Sequence, residues 1–145
     1  GAPRGGALSM REFRLRLLPD VLSVCRLDAN DQAVQEAIPR WVCSKGFWSV
    51  SRRGDELSVV CDTARVPPEL THQSGWRAFE IDGTLDFSEV GVLAALTSCL
   101  AQAGVAVFAL STHDTDVILV QQDTMSTAME ALIAEGHQII SPDPE

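Results

Sequence analysis

Residues 76–121 read WRAFEIDGTLDFSEVGVLAALTSCLAQAGVAVFALSTHDTDVILVQ, and their hydrophobic period passes from two to 3.6 and back to two. In WRAFEID (76–82), Trp76, Ala78 and Glu80 alternate with Arg77, Phe79 and Ile81, the pattern of a half-buried strand. Val92, Leu93, Leu96, Leu100 and Ala103 then recur at helical spacing until Gly104 supplies a left-handed stop. Upstream, Asp86 with Glu89 fits a capping box and Leu85 with Val90 the staple positions, so the spacing predicts a helix of about sixteen residues. VAVFALS (105–111) and VILVQ (117–121) are β-branched and aromatic runs joined by a polar connection, which predicts a hairpin.

Toward the C-terminus, Asp123 or Thr124 is placed to cap a second helix. Met125, Ala128, Met129, Leu132 and Ile133 form its apolar face, Gly136 its stop, and HQII a short last strand. The order β-α-β-β-α-β is ferredoxin-like: an α+β fold with antiparallel strands and helices on one face. Toward the N-terminus the same plan looks worn. FRLRLL, LSVCRL, FWSVSRR and ELSVVCD read as strands, the last two turning at Gly54, while DQAVQEAIPRWV allows a turn or two of helix before Pro39 stops it. PPELTHQSG (67–75) reads as the connection. The expected organisation is a disordered tail or expression remnant over residues 1–10, a degenerate lobe over 11–72 and a complete lobe over 73–141.

Apolar residues make up 46% of the 145 and charged ones 21%, which favours a packed core over disorder. The net charge of −9 is unevenly distributed: 11 basic residues face 9 acidic ones through Arg77, and 11 acidic residues face none after it. A half without Lys or Arg lacks the footprint of a nucleic-acid binder. No apolar run reaches the length of a membrane span and no secretory core opens the chain, so a cytoplasmic address is expected. Cys25, Cys43, Cys61 and Cys99 are widely spaced among apolar neighbours and read as buried, reduced thiols.

His113, Asp114 and Asp116 are metal-ligating residue types, but no further ligand follows at a useful interval, so neither a metal nor a cofactor is expected. Ser111, His113 and Asp114 are neighbours on one connection and cannot converge around a reacting group as a triad must. Nucleophile elbows, phosphate loops and paired-histidine helices do not occur, so no enzyme is expected. The opening of the first long helix, LDFSEVG (85–91), is of more interest. Its free amides and dipole favour a carboxylate, and Gly91 removes a side chain where a ligand would approach.

Trp76-Arg77, the Phe87 to Gly91 opening, and Ser111-Thr112 followed by Asp116 and an aliphatic strand resemble ACT-domain proteins related to the CASTOR-type cytosolic arginine sensors. The resemblance spans roughly residues 15 to 140, with LSVCRLDAN and FWSVSRRGDELSVVCD similar to the first half. It implies tandem ACT lobes, the first degenerate, in a non-catalytic module that binds an amino acid or related metabolite where copies meet. It also implies that Ser88, Glu89, Val90 and Gly91 hold the ligand's amino-acid backbone. Leu110, Ser111 and Thr112 would line the crevice, and Asp116 would meet a cationic side chain. The sensors carry this unit twice per chain and this chain carries it once, so a homodimer would rebuild the crevice. The rival reading is a protein-interaction module with a vestigial ligand site, using Trp41, Phe47 and Trp48 as anchors.

Overall fold

The computed structural model describes residues 12–82 and 90–142, which form eight strands and three α-helices in an α+β fold. The strands are β1 (Arg14–Leu17), β2 (Leu22–Asp28), β3 (Ser49–Arg53), β4 (Glu56–Asp62), β5 (His72–Ile81), β6 (Val107–Ser111), β7 (Asp116–Gln121) and β8 (Gln138–Ile140). The helices are α1 (Gln32–Glu36), α2 (Val92–Gln102) and α3 (Met125–Ala134). They fall into two compact units: unit 2 is Pro19–Trp76, and unit 1 joins the chain up to Leu18 with the chain from Arg77 onward.

In unit 1 the strands run in the order β8, β1, β5, β7, β6. The RLRL alternation of β1 exposes Arg14 and buries Leu15 and Leu17, as a half-buried strand should. Although FRLRLL directly precedes LSVCRL in the chain, it pairs with other strands. β1 pairs antiparallel with β5 (Leu15 opposite Ile81, Leu17 opposite Phe79) and parallel with β8 (Arg14 opposite Gln138). The sheet is therefore mixed, and β1 occupies the slot in which β8 would lie directly against β5 in a plain β-α-β-β-α-β unit.

Leu15, Phe79, Ile81, Ile118 and Val120 from the sheet meet Val92, Leu96 and Leu100 of α2 and Ala128 and Leu132 of α3 in one core. Eleven residues are too few for a helix to persist alone, so α2 depends on this burial, worth roughly 1.5–3 kcal/mol for each large side chain. The helix is shorter than the sixteen residues its spacing predicts. It begins at Val92 with Gly91 as N-cap, and Gly91 has φ of +84°, a left-handed conformation that helical backbone cannot continue through. The capping pair Asp86 and Glu89 and the staple residue Leu85 lie outside the described residues. In α3 the apolar face is narrower than predicted: Leu132 is buried, whereas Ile133 is 56% exposed.

Unit 2 is built on β2 and β4, paired from Leu22 opposite Asp62 to Asp28 opposite Glu56. β3 flanks β4, the two turning at Gly54, where φ is +58°, as the sequence predicts. The first part of β5 lies along β2, with Cys25 opposite His72. Cover is sparse. α1 has five residues, capped by the Asp31 carboxylate, which accepts from the Ala33 N–H at 2.9 Å. A 3₁₀ turn at Arg40–Val42 then inserts Val42 among Cys25, Leu27, Val59 and Cys61. Trp41 and Trp48 pack against the same core, which uses them as cover.

Candidate functional site

The hairpin of β6 and β7 sets the site's geometry. Its register runs from Val107 opposite Val120 to Ser111 opposite Asp116, so the last pair before the turn is the serine and the aspartate. There the Ser111 hydroxyl donates to the Asp116 carboxylate at 2.6 Å. Thr112 and Thr115 close the turn: the Thr112 N–H donates to the Thr115 carbonyl at 2.8 Å, and the Thr115 N–H to the Thr112 hydroxyl at 3.2 Å. His113 and Asp114 form the exposed tip and hydrogen-bond each other, Nδ1 to Oδ1, at 2.9 Å. Leu110 faces Val117 and is half-buried.

Thr115 ties this turn to the rest of unit 1. The Thr115 hydroxyl donates to the Ile81 carbonyl at 3.0 Å, which puts the hairpin tip beside the end of β5. Nothing in the local sequence around Thr115 marks a partner 34 residues away, so this contact was not legible from the chain. The chain leaving Ile81 and Asp82 leads to Val90, 72% exposed, and to Gly91, half-buried at the start of α2. α2 has no side-chain cap bond at its N-terminus. Ser88 and Glu89 lie outside the described residues.

Charge near the end of β5 differs from what the sequence split implies. β1 brings Arg14 and Arg16 into unit 1, where the Arg16 guanidinium meets Asp82 at 2.9 Å and that of Arg14 at 3.6 Å. These arginines come from a part of the chain some sixty residues earlier.

Among the described residues no three His, Cys, Asp or Glu side chains converge to hold a metal ion. Three of the four thiols are buried as expected, and Cys43 is not: it follows the 3₁₀ turn that points Val42 inward and is itself exposed. Cys25 and Cys61 lie together in the core of unit 2. That contact holds the Cys25 thiol below its ordinary value and, with burial, pushes Cys61 well above it. Burial, with Glu135 nearby, also raises Cys99.

The ACT-domain family model matches residues 71–134, and a separate N-terminal-domain model matches residues 20–69. A crystallographically determined protein of Agobacterium tumefaciens is 30% identical over 93% of this chain and 97% of its own, with a TM-score of 0.83. The chain belongs to the ACT-domain proteins. A Vibrio cholerae protein of unknown function, described as a possible transport protein, is 17% identical over 93% of this chain and 98% of its own, TM-score 0.69. The ligand-free regulatory subunit of aspartate kinase from Thermus thermophilus is 10% identical over 84% of this chain and 96% of its own, TM-score 0.58. These last two show the fold alone. No curated protein sequence matches. No helix among the described residues is long and apolar enough to cross a membrane.

Proposed function

We propose that this protein is a non-catalytic cytoplasmic sensor whose unit 1 binds a free amino acid, arginine-like in carrying a cationic side chain, where two copies meet. The observation that carries this reading is the Ser111–Asp116 pair, a half-buried carboxylate held by one hydroxyl at the hairpin end beside the close of β5. Asp116 would receive the cationic side chain. The amides of Ser88, Glu89, Val90 and Gly91 would receive the ligand's carboxylate, with Leu110, Ser111 and Thr112 beside it. The homodimer is supported by β6, which pairs only with β7 among the described strands. It carries half-buried Phe108 and Leu110 and no charge, an edge suited to a second copy rather than to water. The reading involves no cofactor, metal, nucleic acid or membrane.

Isothermal calorimetry of the dimer against the common amino acids, arginine included, tests it. A basic amino acid is expected to bind, and Asp116→Ala to weaken it by about 1–3 kcal/mol, the range for losing a charge-assisted hydrogen bond. Absence of heat with every amino acid at millimolar concentration, from a confirmed dimer, overturns the sensor reading. A protein partner captured equally by wild type and Asp116→Ala would then favour an interaction module with a vestigial site.

A further inference from the structure

The entry of β1 into unit 1 is held by a titratable ring. His137, 5% exposed, lies between the end of α3 and β8, its own N–H donating to the Leu132 carbonyl at 3.1 Å. Its Nδ1 accepts the Phe13 N–H at 3.0 Å, so the neutral ring carries its proton on Nε2. The Phe13 and His137 rings stack with centroids 5.6 Å apart. One residue on, the Gln138 N–H donates to the Phe13 carbonyl at 2.9 Å and the parallel β1–β8 ladder begins.

We propose that His137 is an acid-sensitive latch on β1: a second proton on the ring breaks the Phe13–His137 hydrogen bond, and β1 loosens from β8 while the rest of unit 1 stays folded. Protonated Nδ1 is a donor, and a donor facing the Phe13 N–H leaves two buried hydrogens pointed at each other. Burial pushes the imidazole below its ordinary value, and Glu135 at the end of α3 and Glu12 on the segment entering β1 pull it part of the way back. The rest of β8 carries no charged side chain. Because the folded state holds this proton less tightly than the unfolded chain does, the latch contributes fully above about pH 6.5. Its contribution is lost as pH falls from there through the lower folded value. Both ladders of β1 are short, so this strand opens at lower cost than the core strands.

Native-state hydrogen exchange by NMR on the intact protein tests the latch. Corrected for intrinsic exchange chemistry, protection at Phe13 and Gln138 is expected to fall several-fold between about pH 7.5 and pH 5, with Ile118 and Val120 unchanged. His137→Gln, whose amide oxygen accepts but does not titrate in this range, should remove that pH dependence. Should the variant fail to fold, the wild-type ring is followed by its nitrogen shifts: unprotonated Nδ1 at neutral pH and titration below 6.5 support the latch. A protonated Nδ1 at neutral pH, or equal loss of protection at all four amides, overturns it.

Discussion

Unit 1 and unit 2 carry similar alternating strands but cover them differently. Unit 1 lays two helices of ten and eleven residues over its sheet, neither with a side-chain N-cap bond, and holds them by burying Leu96, Leu100, Ala128 and Leu132. Unit 2 has one five-residue helix, which does have a side-chain cap, and fills in with Val42, Trp41 and Trp48. Local capping is thus strongest where tertiary cover is weakest. Pro39 and the Trp and Phe residues around it deny unit 2 the helical period that unit 1 has, so its cover is assembled from a 3₁₀ turn and aromatic rings.

Truncating the buried helix side chain gives the sharpest break. Leu96→Ala is expected to cost about 2–5 kcal/mol in urea unfolding followed by circular dichroism, because α2 has only its burial to hold it. A cost under about 1 kcal/mol would mean that α2 is held locally after all. Next come the glycines. Gly136→Ala in unit 1 adds a Cβ at φ +97° against the Glu12 carboxylate and should cost about 1–3 kcal/mol. Gly54→Ala in unit 2, at φ +58° with open space around it, should cost about 1 kcal/mol. The reverse order would make crowding irrelevant at Gly136. The smallest effect falls on the cap: Asp31→Ala should cost about 0.5–1 kcal/mol and leave unit 1 untouched by amide exchange. If it exceeded Leu96→Ala, the contrast between the units would be inverted.

Much of this architecture was legible in particular residues. Alternation marked the second part of β5, Gly54 marked its turn, and the apolar runs at 105–111 and 117–121 marked the hairpin of β6 and β7. The start of α2 was not legible, because Asp86 and Glu89 offer a cap pattern upstream while Gly91 resets the backbone to a left-handed conformation just before Val92. Alternation says which face of FRLRLL is buried, and nothing about which strand lies beside it, so the pairing of β1 with β5 and β8 emerged only in three dimensions. The same holds for the site: the residue types at Ser111 and Asp116 could be read, whereas their pairing across the hairpin, the Thr115–Ile81 bond and the arginines at Asp82 emerged only in three dimensions.

The slot taken by β1 bears on how the protein reaches its native state. Phe13 and His137 are 124 residues apart, so closing the β1–β8 ladder requires a loop of nearly the whole chain length, a topology of high contact order. On a ribosome that ladder waits for β8 to emerge, and until then the side of β1 away from β5 is an open edge. A fragment starting at residue 71, where the family match begins, would lack this strand altogether and present the free sides of β5 and β8 to other chains.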